Sequence, residues 1–236
     1  MRITFAIAKR ELNAYFLSPI AYIVAAVILA ILGYMFYLVL FWTKQASLRP
    51  LFEQITPILI IIMPLLTMRL LAEERRSGTI ELLLTSPIRD SEVILGKFLA
   101  GFGLFALMLA PTAYYVLVLA VFGKPDWGPI LTVYVGTLLF GGALLSIGIL
   151  ASSVTSNQIV GALVGMGIIA LLWLLPSAGT FVSEPIRGIL TYMGLSSHIA
   201  GFAKGIIDTA DIVFYVSIIV GALFLATRVL EARKWR

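Results

Sequence analysis

Two acids and two arginines in a row, Glu73-Glu74-Arg75-Arg76, open the most chemically capable stretch of this 236-residue chain. Ser77, Gly78 and Thr79 follow, then an apolar patch of Ile80, Leu82, Leu83 and Leu84 with Glu81 set into it. Ser86-Pro87 interrupts the stretch, and Asp90-Ser91-Glu92 reads as the start of a new helix. These residues point to docking rather than to covalent chemistry. The charges can exchange ion pairs with a protein surface, and the aliphatic side chains can fill an apolar cleft. The local pattern predicts a short amphipathic helix. Ser77 or Thr79 can cap its start by accepting from free backbone N–H groups, and the neighbouring acids suit the positive end of a helix dipole. Pro87 cannot continue the helix and disfavours helical backbone at Ser86. Asp90 can then cap the next helix. Charge pattern alone fits a solvated loop between membrane helices equally well.

The rest of the chain offers little to catalysis. The one histidine, His198, has no HExxH motif around it, and a lone histidine is more often structural than a ligand. Ser146, Ser152, Ser153 and Ser156 have no histidine near them in sequence, which argues against a serine hydrolase. There is no cysteine, hence no disulfide and no thiolate metal site. GxxxxGK[ST] does not occur, and Gly96-Lys97-Phe98 lacks both the glycine-rich lead and the Ser/Thr. If ATP powers this protein, another chain binds it. The sequence therefore predicts no enzyme, no metal and no cofactor in this chain.

Composition fixes the setting. Hydrophobic residues make up 61% and charged residues 12%, about half the charged share of a soluble domain. Apolar runs exceed the roughly 20 residues that cross a bilayer. The fold expected is all-α, a single membrane domain over residues 1–236 with six transmembrane helices. Residues 2–17 form an amphipathic interfacial helix. Arg2, Ala6, Lys9, Arg10 and Asn13 share one arc, and Ile3, Phe5, Ile7, Leu12, Tyr15 and Phe16 cover most of the rest, with Glu11 as the exception. A secretory signal peptide fits less well, because the next apolar run is too long and no cleavage site follows.

Ser18-Pro19 turns the chain into span 1, Ile20 to Trp42. A polar loop, Lys44 to Glu53, leads to span 2, Ile55 to Leu71, with Pro57 near its start and Pro64 as a kink. Span 3 runs from Val93 to Phe122 with Pro111 inside, and Lys124 to Gly128 make a tight turn. Span 4 covers Pro129 to Ser152, and a polar loop, Ser153 to Gln158, precedes span 5, Ile159 to Leu175, which ends at Pro176. Gly161 and Gly165 form a GxxxG pair suited to close helix packing, within one subunit or between two. In the outer segment 177–211, Glu184 to Met193 and Ser197 to Ile207 read as short helices, re-entrant or interfacial. Asp208 to Asp211 can cap span 6, Ile212 to Thr227.

Charge placement gives an orientation. With both termini cytosolic, only Lys44, Arg49, Lys124, Arg187 and Lys204 of the 17 basic residues lie outside, as the positive-inside rule expects. The net charge of +5 is thus a membrane signature and not a nucleic-acid one, since no basic stripe carries stacking aromatics. The middles of the spans hold no ionisable residue, which argues against an ion-coupled transporter and a channel. Tyr22, Tyr34, Phe36 and Tyr37 fit either a hydrophobic cargo or plain lipid contact.

At this point the residues carry a family resemblance. The stretch MRLLAEERRSGTIELLLTSP resembles the cytosolic segment of ABC-2-type transporter permeases. Glu11-Leu12, Ser18-Pro19-Ile20, Leu95-Gly96-Lys97, Asp126-Trp127-Gly128, Ala151-Ser152-Ser153, Asn157-Gln158-Ile159-Val160 and Gly205-Ile206-Ile207-Asp208-Thr209 are similar to the gliding-motility-associated branch, with nitrous-oxide-reductase maturation permeases as neighbours. The resemblance implies a coupling helix within 73–92, between spans 2 and 3, seated in a cleft of a separate ATPase that binds ATP and magnesium. It implies that Glu73, Glu74, Arg75, Arg76, Ser77, Gly78, Thr79, Ile80, Glu81, Leu82 and Leu83 contact that ATPase. It further implies a second permease, identical or paralogous, and a bacterial cytoplasmic-membrane location. The expected role is a permease subunit of an exporter-type complex. The competing role is a scaffold that passes ATPase motion to an extracytoplasmic protein through 177–211.

Overall fold

A computed structural model describes residues 2–17, 19–44, 47–76 and 88–232. Among the described residues every regular element is helical, as expected. In chain order these are α1 (Arg2–Leu17), α2 (Pro19–Thr43), α3 (Arg49–Arg76) and α4 (Asp90–Leu109), then a 3₁₀ turn (Ala110–Thr112) and α5 (Ala113–Phe122). They continue with α6 (Trp127–Val154), α7 (Gln158–Gly179), α8 (Ile186–Met193), α9 (Leu195–Ala203) and α10 (Thr209–Glu231). Six stretches are long and apolar enough to cross a membrane: Ala25–Thr43, Arg49–Ala72, Asp90–Phe122, Trp127–Val154, Gln158–Gly179 and Thr209–Glu231.

α6 is the hub. Buried positions make up 72% of its spanning window, against 22% for α2, α7 and α10. Every residue from Gly141 to Ile149 is buried, so helices pack around it on all sides. Its glycines make that approach feasible. A Cβ at Gly141 would overlap the Phe105 ring of α4, and one at Gly148 would overlap the Thr67 hydroxyl of α3. α3 and α6 run side by side in the same direction. Phe52 meets Tyr134 with ring centroids 5.0 Å apart near one end, and Ala72 N–H meets Ser152 Oγ at 3.1 Å near the other. The GxxxG pair is used inside the chain. A Cβ at Gly165 would lie 3.4 Å from Ala151 and 3.5 Å from Pro64, so α7 crosses both α6 and α3 there.

Several boundaries differ from the sequence reading. The polar loop before α3 stops at Leu48, because Leu48, Leu51 and Phe52 are buried and Arg49 pairs with Glu53 at 2.8 Å one helical turn on. Asp90 is not a cap but the first helical residue. Arg89 holds the cap position, its N–H donating to Glu92 at 3.4 Å. Trp127 and Gly128 belong to α6, not to the turn, since Asp126 accepts from Gly128 N–H at 3.2 Å and starts the helix. Ser153 and Val154 extend α6, and Asn157 caps α7 by accepting from Ile159 N–H at 2.9 Å. Pro176 does not end α7, which continues to Gly179. Pro111 converts one turn of span 3 to 3₁₀ geometry.

The outer helices are shorter than expected. α8 begins at Ile186, and the Glu184 carboxylate accepts from Gly188 N–H at 3.2 Å. α9 stops at Ala203. Gly205 takes φ of 86°, and Ile206 N–H donates to Gly201 O at 3.0 Å while Gly205 N–H donates to Phe202 O at 3.2 Å. That paired closure is a Schellman stop and needs a left-handed residue. Asp208 caps α10 by accepting from Ala210 N–H at 2.9 Å, as the sequence predicts.

Candidate coupling site

α3 carries the start of the charged stretch. It is 28 residues long, about 42 Å at the helical rise, and so outreaches a hydrocarbon core of about 30 Å. Glu73 to Arg76 are its last turn, so α3 runs on past the expected span end at Leu71. Their side chains, and all of Ser77, Gly78, Thr79, Ile80, Glu81, Leu82 and Leu83 with the expected caps and the Pro87 break, lie outside the described residues. The structure therefore defines the two posts that hold this segment, the end of α3 and the start of α4.

The α3 post is tied to the hub by one hydroxyl. Ser152 Oγ accepts from Leu71 N–H at 3.3 Å and Ala72 N–H at 3.1 Å, and donates to Met68 O at 3.3 Å. It stands against both ends of one rung of the α3 ladder. Ser152, Leu71 and Ala72 are all buried, so these contacts are made away from solvent, where an unpaired polar group costs most. One turn back, the Thr67 hydroxyl bonds Met63 O and Pro64 O, both at 3.1 Å. Pro64 has no N–H to give the ladder, and Thr67 and Ser152 supply side-chain contacts to the backbone on either side of the next turn.

The α4 post is tied to α1. Lys97, with only 1% of its side chain exposed, reaches Glu11 at 3.3 Å, and Arg10 reaches the same carboxylate oxygen at 2.8 Å. Burial pushes the Glu11 carboxyl up, but Lys97 and Arg10 outweigh it and hold the group below the ordinary carboxylate value. The exception on the helical wheel thus has a partner. A Cβ at Gly96 would sit 2.8 Å from Ile7, so α1 lies hard against α4. Thr4 and Ala8 line the buried face of α1, and Arg2, Lys9, Arg10 and Asn13 are exposed as predicted. Phe5 and Leu17 are also exposed, a further apolar side for lipid. Tyr15 donates to Leu66 O of α3 at 3.0 Å. α1 therefore touches both posts.

The profile of the family described as "ABC-2 family transporter protein" matches residues 37–192. That match covers well over half of the sequence. The chain belongs to the ABC-2 transporter family. It is also similar to the probable multidrug ABC transporter permease YbhS of Escherichia coli K12, 26% identical over 191 residues, and to the same protein of Escherichia coli O157:H7 at the same identity. Those matches take in 78% of this chain and 50% of each relative, so the chain spans about half the length of the curated relatives it matches. Membership and the six apolar helices make it a multi-pass transmembrane protein of that family. In this ABC-2 chain the matched region contains both posts of the coupling site, while α1 lies before it.

Sequence reasoning placed the charged segment but missed its anchors. The sequence reading sets Lys97 against a nucleotide-loop motif and Ser152 among candidate nucleophiles, and both in stretches similar to the family, but gives neither a partner on another helix. Both signals were present as polar residues facing into apolar runs. His198 is structural, as expected. Its ring nitrogens face Asp211 Oδ1 at 2.6 Å and Tyr192 O at 2.8 Å, and Phe214 stacks on it at 3.8 Å. It ties α9 to α8 and α10 at the far end of the bundle. Tyr22, Tyr34 and Tyr37 are exposed, and Phe36 is buried against Tyr115.

Proposed function

We propose that this ABC-2 chain is the permease subunit of an ATP-driven exporter-type complex. A separate ATPase chain, which holds ATP and magnesium, docks on Glu73 to Leu83. The observation that carries this reading is the continuity of α3. It runs unbroken from Arg49 to Arg76 and delivers four charged residues beyond the apolar span, while Ser152 fastens that end to the hub. When ATP closes a pair of ATPases, two such segments move together. α3 and α4 flank the segment and take that motion into the bilayer, and α1 rides with them. Glu73, Glu74, Arg75, Arg76 and Glu81 make the polar contacts, Ile80, Leu82 and Leu83 fill the cleft, and Ser77, Gly78 and Thr79 form the close approach. A second permease, identical or paralogous, completes the complex in the bacterial cytoplasmic membrane, with both termini cytosolic. The stretches quoted above support a place beside the gliding-motility-associated permeases.

One observation favours the alternative of a scaffold that passes motion outward. Ile186, Ile189 and Met193 are half exposed along α8, and Phe181 is 90% exposed. That apolar face fits an extracytoplasmic partner as well as a lipid surface. Purification from native membrane in mild detergent, with mass spectrometry of companion chains, tests both. A stoichiometric ABC ATPase is expected, and it should be lost in the Glu74→Lys/Arg76→Glu double variant while the spans stay folded. Normal ATPase recovery with that variant would count against docking on this segment. A stoichiometric outer protein would favour the scaffold.

A further inference from the structure

At the end of the bundle away from the coupling site, α3, α6, α7 and α9 surround a half-enclosed cavity of about 220 Å³. Phe52 and Trp173 give it aromatic walls, Thr56, Thr137 and Ser196 give it hydroxyls, and Glu53 gives it a carboxylate. Among the described residues no lysine or arginine lines it, and the nearest cation to its carboxylate is Arg49, one helical turn before Glu53. The polarity of these groups is one-sided. Thr56 commits its hydrogen to Phe52 O at 2.9 Å, and Ser196 commits its hydrogen to Trp173 O at 3.1 Å, so each offers the cavity only lone pairs. The Glu53 carboxylate is an acceptor by nature. Its Oε1 takes the Arg49 Nε–H at 2.8 Å, which leaves the second oxygen.

Thr137 is the second, independent sign. It is 3% exposed and lines the cavity, yet its hydroxyl has no hydrogen-bond partner among the described residues. Several other helical threonines bond back to the preceding turn, as Thr56, Thr67 and Thr227 do. Buried hydroxyls are rarely left unpaired, because the desolvation loss is then uncompensated.

A cavity rich in acceptors, with a carboxylate and aromatic faces, is complementary to a donor-rich cation with an apolar body. A cation near a ring face gains further attraction. We propose that this cavity is a binding site for a small aryl- or alkylammonium ion. Its charge meets Glu53, its N–H groups meet the hydroxyls including Thr137, and its apolar part lies against Phe52 and Trp173. The claim concerns this chain alone and does not depend on the coupling reading.

The test is calorimetric titration of the purified chain in lipid nanodiscs with phenylethylamine, which is cationic at neutral pH, and with phenylethanol as its uncharged counterpart. The amine should bind and the alcohol should bind far less. Glu53→Gln should weaken the amine about tenfold, as loss of a charge-assisted bond does. Thr137→Val, nearly the same shape, should weaken it by about fivefold. Arg49→Ala should strengthen it, because the competing cation is removed from the carboxylate. Thermal melting of each variant checks folding, and Thr137→Val keeps the test open should Glu53→Gln fold poorly. Absence of amine binding by the unaltered chain, equal affinity for the alcohol, or unchanged affinity in Thr137→Val overturns the proposal.

Discussion

Glu11 carries the clearest pH dependence outside the spanning helices. Its carboxyl is held below the ordinary range by Lys97 and Arg10 despite burial. A group lowered on folding stabilises the folded state at pH values above its unfolded pKa. That contribution is lost as pH falls through the lowered value. Backbone amides of α1 should therefore lose protection, measured against their intrinsic exchange rates, below about pH 4. Glu11→Gln should abolish this acid step and loosen α1 at neutral pH by about 1–3 kcal/mol, as expected for a weakened buried contact. Unchanged exchange in the variant would show that α1 docks without help from the Glu11–Lys97 pair. The sequence marked Glu11 as out of place on an apolar arc, but the partner is 86 residues away. Pairings over such distances depend on which helices meet, and periodicity does not report that. Ser152 was illegible for the same reason, since its partners on α3 are backbone atoms about 80 residues earlier.

At the scale of elements, hydropathy located every span and missed mainly ends. Ends are set by caps and by tertiary burial. Arg49 to Phe52 read as loop beside polar neighbours, yet burial of Leu51 and Phe52 draws them into α3. Pro176 read as a stop, yet α7 passes it, and Gly194 leaves room for its ring because a Cβ there would overlap Pro176. The glycines of α6 and α7 looked alike in sequence and are not equivalent in the fold. Gly141 has the buried Phe105 ring where a side chain would go, whereas Gly167 has nothing within 4 Å. Gly141→Ala should lower stability by about 1–3 kcal/mol through overpacking. Gly167→Ala should stay within about 0.5 kcal/mol of the unaltered chain. Unfolding midpoints in one detergent compare them directly. Equal midpoints would mean that Phe105 moves aside without loss, so the α4–α6 seam is looser than its packing implies.

For the whole molecule, topology and charge converge on one end of the bundle. Ser91, Arg228 and Glu231 line a single groove, which puts the start of α4 and the end of α10 together. Glu11 and Lys97 bring α1 there as well. Arg49, Asp126 and Lys204 line another pocket, at the opposite end. Most of the described basic residues thus gather at the end that carries the candidate coupling site, which supports its placement in the cytosol. The absence of cysteine makes this directly testable, because each introduced thiol is the only one. Cysteine at the exposed positions of Lys124 and Arg187 should react with a membrane-impermeant maleimide on right-side-out vesicles. Cysteine at Arg10 and Arg89, also exposed, should react only after permeabilisation. The reverse pattern would put Glu73 to Leu83 outside the cell, where no ATP-driven ATPase could reach it, and docking on that segment would have to be abandoned even though the family assignment stands.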